Sequence, residues 1–391
     1  MRLVIKRGAL GAPIAVVLSL VLASQAFAAT WAPRIRLTTS GIAFAEGLVT
    51  LDSSTAVALY NDPELSRVFV RRTTNSGLNW AARVRVNPNN TYGWFPAIAG
   101  RGTSVDVVWA EEQLDDEFLV RYRRSLDGGL TFVPSIALTP PAANFFAAPA
   151  IGRGPGDIVA VAWNEAPSNT IRVRVSTDGG ASFGAPLTLA NETATYEMPP
   201  AVAVGNGVIY VAYFISDASV RLRRSIDGGA TWKPAVTIGN NGSVDNLQAL
   251  SLVEQGSRAY VAFAAASATQ EWTRYRRTTD KGANWSSVIN LSPPSANPSL
   301  VPELALNSGV LHAAYEQCGV PNCNTSAVFY RRSTNGTTWS AAEKVSHNAA
   351  DWAFPGGVGF AGRIIVLYSA DNGGNSPYVP NSDVFVRTGT P

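Results

Sequence analysis

The sequence predicts an all-β chain: a seven-bladed β-propeller of four-stranded antiparallel blades, closed by pairing of the N-terminal strand with the C-terminal blade. Three observations carry this expectation. An eight-residue box recurs six times at a step of about 50 residues, strand signals between boxes repeat in groups of four, and the incomplete groups at the two chain ends complement each other. A repeat of that length is one supersecondary unit, which buries its apolar faces only by stacking on its neighbours.

The box is clearest in Ser225-Ile226-Asp227-Gly228-Gly229-Ala230-Thr231-Trp232. Its Asp or Asn recurs at Asn75, Asp127, Asp178, Asp227, Asp280 and Asn335, and the last copy is one residue shorter. The carboxylate or amide bonds backbone N–H groups a few residues on and so holds a turn. Glycine supplies the positive φ, and the closing Trp or Phe returns to the core. The unit resembles the Asp box, the bacterial neuraminidase repeat of the sialidase superfamily. That resemblance implies a structural role for these six positions, on the face opposite the family's active site.

Second strands are expected at Thr55–Tyr60, Ser104–Trp109, Asp157–Trp163, Val208–Tyr213, Arg258–Phe263, Val310–Tyr315 and Arg363–Tyr368, one more than the number of boxes. Third strands run into each box, and a seventh, Val384–Arg387, ends the chain without one. The last three strands lack a fourth, and Arg34–Thr38 opens the chain without a partner. Joining them completes blade seven and closes the ring. Sialidases are six-bladed, so the count departs from the resemblance.

Residues 1–28 read as a signal peptide, with Arg2, Lys6 and Arg7 before an apolar run and Ala26-Phe27-Ala28 as the cleavage site. This implies a secreted or periplasmic protein, with residues 29–391 forming one propeller domain. The leader holds three basic and no acidic residues, so the rest carries 28 of the 31 basic residues against 28 acidic ones. The net charge of +3 therefore leaves with the leader, and with it any argument for nucleic acid. No further segment is long and apolar enough to span a bilayer. Cys318 and Cys323, the only cysteines, are expected to close a small disulfide loop in an exported protein.

Alternating strand direction places the loops between strands two and three beside those leading from strand four to the next blade. This face, the channel mouth, is rich in aromatics: Trp94 and Phe95, Phe146, Tyr196, and Trp352 with Phe354. Rings beside carboxylates suit a sugar, whose C–H face stacks while its hydroxyls take polar groups. The competing reading is that the rings plug the channel, and the prolines just before first strands support it for part of each loop.

Each second strand ends in an aromatic, which blade packing explains, and acids follow, among them Glu111, Glu165 and Glu316. The acidic run from Glu111 to Glu117 lacks the glycine-punctuated spacing of a calcium loop. Sialidases clamp a carboxylate with three arginines, yet the nearest string, Pro33-Arg34-Ile35-Arg36, falls in the closing outer strand and the first strands carry no arginine. The arginine pairs before the boxes read as scaffold paired with acids across blades. No catalytic residue is therefore carried over from the family. Another glycosidase would need two carboxylates across the mouth, with Glu111, Glu165, Glu197 and Glu316 as candidates. His312 reads as structural, and His347 lies in a loop of the mouth.

The reading favoured by these residues is a non-catalytic module that binds a glycan or another surface polymer, with no cofactor and no metal. Its candidate ligand residues are Trp94, Phe95, Glu111, Phe146, Glu165, Tyr196, Glu197, Glu316, Trp352 and Phe354. Alternatives are an exo-acting, sialidase-like glycoside hydrolase and a scaffold that docks a protein partner.

Overall fold

The computed structural model describes residues 28–39, 41–62, 67–89, 91–113, 117–143, 146–166, 168–191, 199–215, 219–240, 249–266, 271–292, 297–319, 325–347, 352–371 and 382–391. It is a seven-bladed propeller without helix among these residues. Blade 1 runs Phe44–Thr50, Ala56–Asp62, Arg67–Thr73 and Val84–Arg85, each strand antiparallel to the last. Blades 2 to 6 repeat this order, with first strands Tyr92–Arg101, Phe146–Arg153, Ala201–Val204, Leu250–Gln255 and Ser299–Asn307. Blade 7 is Ala353–Phe360, Ile364–Asp371 and Ser382–Thr390. Two short N-terminal strands border Ser382–Thr390, with Thr30 opposite Thr390 and Ile35 opposite Val386. The single strand expected at 34–38 is thus two pieces.

Each first strand lies against the first strands on both sides, and Ala353–Phe360 lies against Phe44–Thr50. The seven therefore close a ring around a channel. The core is not central. One apolar cluster fills each of the seven blade interfaces: Tyr60 and Ala58 of blade 1 pack on Ile365, Leu367 and Val384 of blade 7, for example. The box aromatics Trp80, Phe132, Phe183, Trp232, Trp285 and Trp339 each pack on one such cluster. All six are half-buried, so each stabilises its interface by less than the roughly 1.5–3 kcal/mol of a fully buried side chain.

In the box, the hydroxyl of Ser225 donates to Asp227 Oδ1 at 2.6 Å, and the same oxygen takes the Thr231 N–H at 2.9 Å. Two successive residues take positive φ, Gly228 at +70° and Gly229 at +97°. Ser76 and Lys281 take the first of these positions in their boxes, at +59° and +57°. The boxes of blades 1 to 5 dock on a turn between strands one and two, as in Gly128 N–H to Thr103 O and Gly179 N–H to Asp157 O. The other face is therefore the mouth.

The third-strand arginines correct an expectation. Those just before the boxes bind backbone carbonyls and not acids across blades. Arg123, Arg174, Arg223, Arg331 and Arg387 donate to Val86, Leu138, Leu189, Leu291 and Val345, each in the fourth strand of the preceding blade or just beyond it. The second members Arg124 and Arg277 reach forward to Gly179 O and Asn335 O in the next box. Short outer strands leave carbonyls without ladder partners, and a guanidinium with five donors fits that need.

Second strands also run past their aromatics. Asp62, Glu111, Glu112, Glu165, Glu316 and Asp371 are strand residues and not loop residues. The first strands do carry arginine: Arg101 and Arg153 end two of them, at the box face.

Candidate functional site

Four consecutive blades, 6, 7, 1 and 2, depart from regular pairing in the same place. In blade 6 Leu300 faces Glu316 and Glu303 faces Ala314, so Val301 and Pro302 bulge opposite Tyr315. In blade 2 Phe95 and Pro96 bulge opposite Trp109. Gly356 is the extra residue in blade 7 and Glu46 in blade 1. Phe95 and Val301 sit at φ +48° and +46°, an uncommon region for a side chain and costly for a β-branched one. Bulges bend a strand and re-aim its side chains. Gly356 is demanded by proximity: a Cβ there would lie 2.3 Å from the Ala45 carbonyl oxygen.

The bulges bring two carboxyl groups to the channel, Glu46 of blade 1 and Glu303 of blade 6. Both keep some solvent contact yet are ringed by protein atoms. Burial pushes each carboxyl up to about 8, and for Glu46 the charge of Glu303 adds to the rise. Both hold their protons at pH 7. The sequence reading missed them. The available signal was an acid in the otherwise uncharged first strands Phe44–Thr50 and Ser299–Asn307.

Beside them runs a stack of three rings. Trp352 lies 5.1 Å from Phe354 at an interplanar angle of 6°, and Phe354 lies 6.1 Å from Phe44 at 20°. The stack joins blade 7 to blade 1. Phe44 and Phe354 are half-buried. Trp352 is 4% exposed and its indole N–H has no hydrogen-bond partner. Its main-chain N–H donates to Asp371 Oδ1 at 3.3 Å, tying the start of the first strand to the end of the second. His347 packs 5.2 Å from Phe385, and its Nδ1 is likewise without a partner. Burial, with the Arg34 guanidinium adding to it, pulls this imidazole down to about 4, so it is neutral at pH 7.

The other sequence candidates scatter. Trp94 is half-buried and donates its indole N–H to Glu112 at 2.7 Å; Phe95 is exposed, as is Tyr92. Glu111 is corrected outright. It is fully buried, receiving Gln113 at 2.7 Å, two bonds from the Arg121 guanidinium, and the Trp109 indole at 3.2 Å. A carboxylate so occupied fastens strands and meets no ligand. Glu165 repeats the arrangement more openly, accepting from the Trp163 indole at 3.1 Å with Arg172 Nε 3.5 Å away. Glu316 is buried. Trp352, expected at the rim, is packed within the stack. Phe146 begins a first strand. Tyr196 and Glu197 lie outside the described residues, as does Cys323; Cys318 is disulfide-bonded.

Two carboxyl groups, a row of rings and orphan polar atoms suit a polyhydroxylated molecule. Arg34 rests over the Phe385 ring at 4.8 Å, where its charge also reaches His347, and Arg36 pairs with Asp383. Among the described residues no cluster of His, Cys, Asp and Glu is placed to hold a metal, and no helix is long and apolar enough to cross a membrane.

No protein-family model matches the chain, and no curated protein does. Solved structures share its fold at low identity. A polysaccharide lyase of family PL25, an ulvan lyase, is 9% identical with a TM-score of 0.56, covering 89% of this chain and 94% of that one. The phage phi92 endosialidase is 9% identical with a TM-score of 0.52, over 92% and 69% of the two chains. The Hadza microbial sialidase Hz136 is 15% identical with a TM-score of 0.51, over 71% of this chain; the match spans 63% of that sialidase's length.

Proposed function

We propose that this chain is an exported Asp-box propeller of sialidase-like architecture that binds glycan at the channel mouth without turning it over. The observation that carries the reading is the Phe44–Phe354–Trp352 stack beside the Glu46 and Glu303 carboxyl groups. Stacked rings offer a sugar its apolar contact, and protonated carboxyls offer its hydroxyls a donor and an acceptor each. The neighbours in fold are named for action on glycans, which brings that ligand class into the proposal; residues of this chain carry the rest. Export is proposed from the leader at residues 1–28 and agrees with a disulfide at Cys318.

The test is a glycan-array screen on the mature chain beside Phe44→Ala and Phe354→Ala. Binding that both variants abolish, without turnover of a glycoside panel, is the expected result. Binding unchanged in both removes the mouth from the proposal.

One observation favours a second reading, a glycoside hydrolase. Glu46 and Glu303 are two carboxyl groups on strands of the same channel, and glycosidic cleavage uses such a pair. Turnover lost in Glu46→Gln or Glu303→Gln would establish the hydrolase in place of the binding module.

A further inference from the structure

Resting on the proposal that the chain is exported, we infer that Glu343 is the receptor for the mature N-terminus. Cleavage after Ala28 turns the Ala29 main-chain N–H into an ammonium group, which pairs with the Glu343 carboxylate and fastens the last outer strand of the ring. An endopeptidase of the signal-peptidase class supplies the step. Water adds across the Ala28–Ala29 peptide bond, leaving a carboxylate on Ala28 and an ammonium on Ala29.

Glu343 lies in the fourth strand of blade 6, opposite Tyr330. Its Oε2 accepts the Ala29 main-chain N–H at 2.9 Å and the Trp31 indole N–H at 2.8 Å. Ala29 and Trp31 both pack on the apolar cluster between blades 6 and 7. The Trp31 ring stands edge-on to Tyr330, with centroids 5.4 Å apart at 79°. Arg387 holds the same segment through carbonyls, its Nε donating to Ala32 at 3.0 Å and its Nη1 to Val345 at 2.8 Å. Glu343 thus meets the start of the propeller domain directly, through two N–H groups on one oxygen.

Sequence and fold meet at one residue. Ala26-Phe27-Ala28 puts small side chains at the third and first positions before the cut. A cut one residue later would put Phe27 at the third position, where a small side chain is needed. The nitrogen that this motif frees is the one the fold holds on Glu343. Ala28 is exposed and Ala29 half-buried, so the scissile bond lies where the chain enters the surface of the ring. One residue advances an extended chain by about 3.3–3.6 Å, so an amine left one residue away misses the carboxylate.

The pairing acts at the seam of the ring. Blades 1 to 6 each draw their strands from one consecutive stretch of chain. Blade 7 takes its outer strand from the N-terminus, as the two short pieces Thr30–Trp31 and Ile35–Arg36. No short connection ties those pieces to the blade, so the ring opens there as a terminus frays. An ammonium brings a full charge and three donors to a carboxylate that the uncut chain meets with one neutral main-chain N–H. Removal of the leader thereby tightens the closure.

The test starts from the full chain exported through its own leader, with the first residue of the product read by mass spectrometry; Ala29 is expected. Hydrogen exchange at Trp31 and across Ser382–Thr390 is then compared between that product and a chain beginning at Phe27, each with and without Glu343→Gln. Exchange should be about tenfold slower in the chain beginning at Ala29. Glu343→Gln should erase that difference, while its amide oxygen still accepts from the Trp31 indole. Equal exchange in the two chains, or a difference that survives Glu343→Gln, overturns the ion pair with export left standing. A cut at another residue does the same. A leader that stays uncut overturns both the pairing and the export proposal, and leaves glycan binding at the mouth to its own array.

Discussion

Arg123 joins two blades through one side chain: its Nη1 donates to the Val86 carbonyl of blade 1 at 2.6 Å, and its Nε to Val133 of its own blade at 2.6 Å. Blades 3, 4 and 6 repeat the bond through Arg174, Arg223 and Arg331. Arg123→Met keeps the stem and removes the donor from three carbonyls, those of Val86, Phe132 and Val133. The expected loss is about 1–3 kcal/mol of unfolding free energy, read as a lower denaturant midpoint. An unchanged midpoint would mean that water replaces the guanidinium at no cost.

Gly356 should be the least replaceable residue of the mouth. Its absent Cβ makes room for the Ala45 carbonyl, 2.3 Å from where the atom would sit. Gly356→Ala must therefore push blades 7 and 1 apart, at a cost of about 1–3 kcal/mol, and should weaken glycan binding by displacing Phe354. Wild-type stability and affinity in this variant would show that the contact yields freely.

The channel acids predict a slope with pH. Glu46 and Glu303 carry folded values near 8 against 4.5 in the unfolded chain. Between those values the unfolded state has released protons that the folded state keeps, so stability falls as pH rises from about 4.5 to 8. Glu303→Gln should flatten this slope and raise the melting temperature at pH 8 above that of the parent. A parallel decline in parent and variant would remove Glu303 as its source.

The box aspartates act in the opposite direction and in a lower window. The Thr131 side chain and main chain hold Asp127 down to about 2, and the Ser225 and Thr231 hydroxyls hold Asp227 down to about 2. Their contribution is present above the ordinary value of 3.8 and is lost as pH falls toward 2. His312 and His347, both lowered to about 4, account for loss between 6.5 and 4. Asp127→Asn should keep the turn, since Asn75 Oδ1 already accepts the Asn79 N–H at 2.9 Å, and make acid unfolding below pH 4 less steep. An unaltered acid limb would argue against the box as its source.

Much of the fold was legible because its cues are local. Asp or Asn with glycine makes a turn wherever it occurs, and the closing Trp or Phe marks the return to the interface. Counting second strands gave seven blades where the boxes suggested six. Partner choice was less legible. The arginine pairs were expected to meet acids, because nothing local reveals that short outer strands leave carbonyls free. Glu111 looked like a ligand in a loop; in the fold its strand continues, and Trp109, Gln113 and Arg121 enclose it.

By itself the sequence determined the strands, the turns, the number of blades and the face on which the boxes sit, since these follow from short-range backbone preference and from alternation along a strand. Only the tertiary structure decided which side chains share the channel. Glu46 and Glu303 lie at opposite ends of the chain, on blades that both flank blade 7, and Phe44 reaches Phe354 across the ring's closing interface. Closing a ring sets residues side by side that no separation along the chain foretells, and bulges in four first strands then aim them, because one added residue changes the face a side chain takes.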